Sequence, residues 1–243
     1  MTGCVDQLVV REWLFGQAPE GLQKDEIHVW HVLTSLKPDQ MDKLAASLSS
    51  DELGRAERFR FAKDRARYVI GRGVLRALLA DYLGATAKDV RFRYSEKGKP
   101  ELMPAPGRPG IQFNLAHSGD LVVYGFVKER RVGIDVEEVR FDFRTDEIAE
   151  RFFSDAEREA LRKLPESQRH AGFFRCWTRK EAYLKATGDG LSMPLCDFDV
   201  SLAADQPARL LATRPAASEA AKWQMQNLDF GPQYAAALIV ESR

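Results

Sequence analysis

Cysteine is scarce in this chain of 243 residues: Cys4, Cys176 and Cys196 are the only three. They lack metal-ligand spacing and cannot all pair, which excludes a disulfide-stapled fold and a cysteine-based zinc centre and points to free, mostly structural thiols in a reducing compartment. A net charge is also missing. Lys plus Arg number 36, and Asp plus Glu number 36. Proteins that hold nucleic acid over their whole surface carry a basic excess, so that class is disfavoured. The longest apolar run, Leu121 to Val127, is far too short to span a bilayer. Around Leu8-Val9-Val10 there is neither a basic start nor a long apolar stretch, so no leader is expected and a cytoplasmic protein is. No P-loop, dinucleotide fingerprint, nucleophile elbow or solenoid-type repeat occurs.

What is present is charge in blocks. Arg55 to Arg76 contains eight basic residues against Glu57 and Asp64. Asp135 to Glu159 contains ten acids against four arginines, and Arg169 to Lys185 contains five basic residues against Glu181. Solvated helix faces account for such blocks in most proteins. The sharper reading is a polyanion site with acids nearby to hold a divalent cation.

The pattern predicts an α+β chain. Ile27 to Leu33 reads as a strand, and Ser49 or Ser50 caps a helix starting near Asp51 and Glu52. Tyr68 to Leu83 is a helix with a wide apolar stripe, in which Gly71 and Gly73 cost about 1 kcal/mol each relative to Ala. Asp89 to Tyr94 is a short strand, Glu96 to Pro100 a turn, and Met103 to Gly110 a proline-rich loop. Ile111 to Leu115, Leu121 to Val127 and Val132 to Val136 predict an antiparallel meander. Ser154-Asp155-Ala156-Glu157 is a capping box, Gln168 to Lys185 a second long helix, and Phe198 to Leu202, Lys222 to Leu228 and Ala235 to Val240 closing strands. Arg72-x-x-Leu75-Arg76-Ala77 faintly echoes Glu181-x-x-Leu184-Lys185-Ala186, which suggests two similar halves divided near Lys128, residues 1–128 and 129–243.

Four constellations carry candidate chemistry. In a strand, Asp135 and Glu137 of Gly133-Ile134-Asp135-Val136-Glu137 share a face. Such a pair of exposed carboxylates fits a hard cation such as Mg²⁺, or a solvated edge strand. In Trp177-Thr178-Arg179-Lys180-Glu181-Ala182-Tyr183-Leu184-Lys185, Glu181 and Lys185 are one turn apart, as in an ordinary surface pair or a site with a third ligand and a phosphate-binding cation. His117 stands at a loop mouth beside Ser118 and Gly119, where a donor can meet an anion. Gly98-Lys99-Pro100 is a turn with a cation in it.

Taken in order, Gly98-Lys99-Pro100, Asn114-Leu115-Ala116-His117-Ser118, Gly133 to Glu137 and Trp177 to Lys185 resemble the 4′-phosphopantetheinyl transferases, specifically the larger, two-lobed Sfp type. Arg151-Phe152-Phe153-Ser154 and Gly190-Leu191-Ser192 also look like family positions. The resemblance implies two similar α/β lobes related by a pseudo-two-fold, with coenzyme A in the cleft between them. It implies transfer of phosphopantetheine from coenzyme A to a serine of an acyl or peptidyl carrier protein, releasing adenosine 3′,5′-bisphosphate, by a monomer. By the same resemblance Asp135, Glu137 and Glu181 hold Mg²⁺, with Mn²⁺ as the alternative metal. Glu181 is the base, and Lys185, Lys180 and His117 stabilise charge. Lys99 and Pro100 lie near the adenine, His117, Lys180 and Lys185 near phosphates, and Arg55 and Arg67 near the 3′-phosphate. Two departures stand out: Ala116 where many relatives have Ser, and Glu52 where relatives can carry Lys. An acidic carrier is expected to dock on Arg162, Lys163 and Arg169 with Leu161 and Leu164.

Overall fold

In a computed structural model, described over residues 6–103, 110–142, 144–188, 190–214 and 216–243, the chain divides into two compact units, Met1–Glu129 and Arg130–Arg243. Most of the expected loop from Met103 to Gly110 lies outside the described residues.

The first unit contains β1 (Gln7–Glu12), β2 (Glu26–Leu33), α1 (Pro38–Ser47), α2 (Ser50–Glu57), α3 (Ala62–Leu83), β3 (Phe92–Tyr94), β4 (Pro100–Leu102), β5 (Ile111–Ser118) and β6 (Leu121–Lys128). The four-stranded sheet has the order β1-β2-β6-β5; β1 runs parallel to β2 and the other neighbours are antiparallel. Ile70, Val74, Leu75 and Leu78 of α3 pack into one apolar cluster with Trp30 of β2 and Val122, Tyr124 and Phe126 of β6. The two helix glycines differ. A Cβ on Gly73 would stand 2.7 Å from the Leu44 Cβ of α1, so the missing side chain lets α1 lie flush on α3. A Cβ on Gly71 would meet nothing nearer than 4.0 Å.

The second unit contains β7 (Val132–Glu138), α4 (Thr145–Phe152), α5 (Asp155–Lys163), α6 (Glu166–Thr187), β8 (Phe198–Val200), β9 (Leu210–Thr213), β10 (Trp223–Leu228) and β11 (Tyr234–Glu241). Its main sheet is antiparallel, in the order β10-β11-β7. Phe173, Cys176 and Tyr183 of α6 share a core with Phe198, Trp223, Ala237 and Ile239. Burial raises the Cys176 thiol well above its ordinary value, as suits a packing residue.

The expected meander is corrected. β5 and β6 form a hairpin, but β6 pairs with β2 on its other side, and β7 pairs with β11. The break from Lys128 to Arg131 is therefore a passage between units, which a two-residue pattern of apolar runs cannot distinguish from a hairpin. Apart from the extra strand β1 that opens the first unit, both units follow one order: a strand, three helices of which the last has 22 residues, a two-stranded ladder, then an antiparallel pair completing the sheet. Both long helices end on a glycine in the left-handed region, Gly84 (φ 58°) and Gly188 (φ 78°). Aligned on these glycines, Arg76 corresponds to Lys180 and Ala77 to Glu181. The echo that paired Arg72 with Glu181 is five residues out of this register.

Candidate functional site

The Asp-x-Glu strand and the long helix meet at Gly133. An added Cβ there would stand 2.0 Å from the Ala182 carbonyl oxygen and 2.6 Å from the Ala186 nitrogen, so α6 rests backbone to backbone on β7. Asp135 lies two residues further along the strand, on the same face as Gly133. Lys185 reaches it from the helix, its Nζ donating to Asp135 Oδ1 at 2.5 Å. Glu181, one turn earlier, is half-buried, as is Glu137.

The expectation of two exposed carboxylates is corrected here. Asp135 is only 4% exposed. Burial raises its carboxyl to about 7; the Lys185 ammonium pulls it down, while Glu137 and Glu181 push it up. Burial also raises Glu181, opposed by Lys185 and reinforced by Glu137. These carboxylates feel one another, and one partly exposed ammonium, 30% accessible, stands among them. Asp135 Oδ2 is buried with no hydrogen-bond partner. An orphaned carboxylate oxygen amid mutually repelling acids is the donor chemistry a hard divalent cation satisfies, so the residues fit the metal that the motif implies. Among the described residues, no three His, Cys, Asp or Glu side chains already stand at metal-ligand spacing.

Lys180 requires a second correction. Its ammonium is fully buried, bound to Glu157 Oε2 at 2.8 Å and to the carbonyl oxygens of Leu195 and Phe198 at 2.7 Å each. Three acceptors use its three protons, and none is left for a phosphate. Helical spacing puts adjacent residues on different faces, and here Lys180 turns into the core while Glu181 and Lys185 face Asp135.

In the first unit, His117 is exposed near the end of β5. Arg67 of α3 donates from Nη2 to the Gly119 carbonyl at 2.8 Å and pairs with Asp64, so it holds the turn that follows His117. Arg55 is exposed on α2, with its guanidinium 5.6 Å from the Tyr68 ring centroid. Lys99 and Pro100 lie at the β3–β4 turn, where the Lys99 amide donates to Ser95 Oγ. Glu52, the unexpected acid, is no surface residue: it is 1% exposed and pairs with Arg72 and Arg76. Burial pushes its carboxyl up, but the two arginines outweigh this and hold it below its ordinary value.

The expected carrier patch loses its apolar part. Leu161 is buried, and Leu164 packs against the same core. Arg169 donates to the carbonyls of Leu164 and Arg162 and so caps the end of α5, while Arg162 pairs with Glu150. Gly133, two residues before the first carboxylate, has a role that its motif does not reveal: it lets α6 seat directly on β7.

Residues 131–239 match the family model described as the 4′-phosphopantetheinyl transferase superfamily, and residues 35–127 match that for the N-terminal part of 4′-phosphopantetheinyl transferase. The transferase HetI of Nostoc sp. is 44% identical over 80% of this chain and 81% of its own. The transferase psf-1 of Bacillus pumilus is 37% identical, covering 70% and 71%. Sfp of Bacillus subtilis is 31% identical, covering 70% and 73%. A solved ACPS–CoA complex of Chronobacterium ammoniagenes covers 47% of this chain and 98% of its own at 19% identity, with a TM-score of 0.35. With both units matched by the family's models and the Asp135, Glu137, Glu181 and Lys185 set gathered on one strand and one helix, the chain belongs to the Sfp-type 4′-phosphopantetheinyl transferases.

Proposed function

We propose that the chain moves the 4′-phosphopantetheine group from coenzyme A to a serine hydroxyl of an acyl or peptidyl carrier protein, releases adenosine 3′,5′-bisphosphate, requires Mg²⁺, and works as a monomer. The observation that carries this reading is the meeting of Asp135, Glu137, Glu181 and Lys185, with one buried carboxylate oxygen lacking any partner. Asp135, Glu137 and Glu181 would hold the metal, which supplies Lewis-acid polarisation of the diphosphate. Lys185 provides positive charge for phosphoryl oxygens, the electrostatic contribution that dominates phosphoryl transfer. Glu181, raised by burial, is suited to take the proton of the attacking serine hydroxyl. In this reading the first unit binds the nucleotide: Arg55 and Arg67 the 3′-phosphate, Lys99 and Pro100 the adenine, and His117 a diphosphate oxygen.

The test is direct. The protein is mixed with coenzyme A, Mg²⁺ and an apo carrier, and the carrier is weighed by mass spectrometry. Addition of one phosphopantetheine group supports transfer. An unchanged carrier with intact coenzyme indicates a binder, and coenzyme cleaved without any carrier indicates a phosphodiesterase; either result overturns the proposal.

A further inference from the structure

The two units carry the same buried clamp. In each, a cation eight residues before the helix-ending glycine pairs with the glutamate of the preceding helix's capping box: Arg76 with Glu52, and Lys180 with Glu157. Each glutamate also accepts the N–H of its own N-cap serine, Ser49 or Ser154, at 3.0 Å. Each cation donates to two carbonyls beyond its long helix. Arg76 Nη1 reaches Ala87 and Val90 at 2.9 Å each, and Lys180 Nζ reaches Leu195 and Phe198. In the second unit Glu157 Oε1 also accepts the N–H of Val200 at 2.8 Å. The start of the preceding short helix, the long helix and the segment after it are thus tied at one buried charge in both units.

The units differ in what comes next. Ala77 follows Arg76, whereas Glu181 follows Lys180. We infer that Lys180 is a positioning residue for the transfer reaction: through the Glu157 clamp it fixes the rotation of α6, and so sets Glu181 and Lys185 against Asp135, without touching the coenzyme. This rests on the reading of Glu181 and Lys185 as groups of the reaction site. The physical argument is geometric. Gly133 fixes where α6 touches β7, but a contact at small residues does not by itself set the rotation of the helix. Successive side chains diverge by about 100°, so a roll large enough to expose Lys180 would carry Glu181 off the strand. Three directional bonds to Lys180 oppose that roll.

Two measurements test it. In the wild-type protein, amines are acetylated with a water-soluble succinimidyl ester and the peptides are read by mass spectrometry, with and without coenzyme A. Lys163 and Lys222, 73% and 56% exposed, should react while Lys180 does not. Ready acetylation of Lys180 that coenzyme A suppresses would overturn the inference. Next, Lys180→Met and Lys180→Met with Glu157→Gln are assayed on an apo carrier. The single variant leaves a buried carboxylate unpaired, so kcat should fall by about tenfold or more while the coenzyme KM stays within about twofold. The double variant removes that unpaired charge and so keeps the fold even where the single variant does not, but it still lacks the clamp: its kcat should stay about tenfold below the wild type with the coenzyme KM within about twofold, and a wild-type kcat in the double variant would overturn the inference. A coenzyme KM raised about tenfold in either folded variant, unrelieved by Glu157→Gln, would show that Lys180 serves the phosphate instead. A wild-type protein that fails to modify the carrier would refute the transfer reading, while the labelling still decides the clamp.

Discussion

Gly133→Ala perturbs the point on which the site is built. The new methyl group would stand 2.0 Å from the Ala182 oxygen, 2.6 Å from the Ala186 nitrogen and 2.9 Å from the Ala186 Cβ. Carbon needs roughly 3.5 Å from such atoms, so α6 must retreat by about 1 Å or more. Two of the three obstacles are backbone, which no rotamer change can move aside. Overpacking of this kind costs about 1–3 kcal/mol, and the upper end applies here. The retreat also lengthens the 2.5 Å contact between Lys185 and Asp135. A displacement of about 1 Å at reacting groups lowers rate by about 100-fold. Gly71→Ala is the control: its Cβ meets only Leu115 and Val122 at 4.0 Å, and Ala gains up to about 1 kcal/mol over Gly inside a helix. Thermal melts and initial rates of carrier modification give both answers. The reasoning is refuted if Gly133→Ala melts and turns over like the wild type, or if Gly71→Ala is the more damaged of the two.

Asp135→Ala and Glu181→Gln should each nearly abolish transfer at saturating Mg²⁺ with far-ultraviolet dichroism unchanged; full activity in either removes that residue from the reaction. Glu52→Gln should destabilise the first unit by about 3–5 kcal/mol, because Arg72 and Arg76 are left buried without a carboxylate; a melting point within a degree or two of the wild type would contradict this. Without divalent metal, the stability that Asp135 contributes should be lost as pH rises from about 4 to about 7. In that window folded Asp135, raised to about 7, keeps a proton that the unfolded chain, with a carboxyl near 3.9, has lost. Mg²⁺ should flatten the slope and Asp135→Asn should remove its part of it; melts in chelator showing no such difference between wild type and variant would refute the assignment.

The sequence disclosed this site unevenly. Asp135 and Glu137 were legible because strand alternation puts them on one face, and Glu181 and Lys185 because one helical turn separates them. Burial was not legible: a strand pattern with two acids reads as solvated, whereas α6 covers Asp135 because Gly133 permits it. Lys180 was misread for a related reason. Spacing within one helix says which residues share a face but not which face meets the core, and its partner Glu157 lies on another helix. The long helices, the β5–β6 hairpin, a serine cap for α2 and the capping box of α5 followed from local pattern, although the N-caps of α2 and α5 acquire their full meaning only through Arg76 and Lys180. The strands β1 and β9 and the helices α1 and α4 were not read from the sequence, and the pairing of β7 with β11 joins segments far apart in the chain, which periodicity does not name.

The central claim is that β7 and α6 together hold a divalent cation at Asp135, Glu137 and Glu181. Titration of the protein with Mn²⁺ in the presence of coenzyme A, with free ion followed by electron paramagnetic resonance, tests it most directly. The account predicts one bound ion per chain in the wild type and loss of that ion in Asp135→Ala and in Glu181→Gln. Equal Mn²⁺ binding by the wild type and both variants would contradict it.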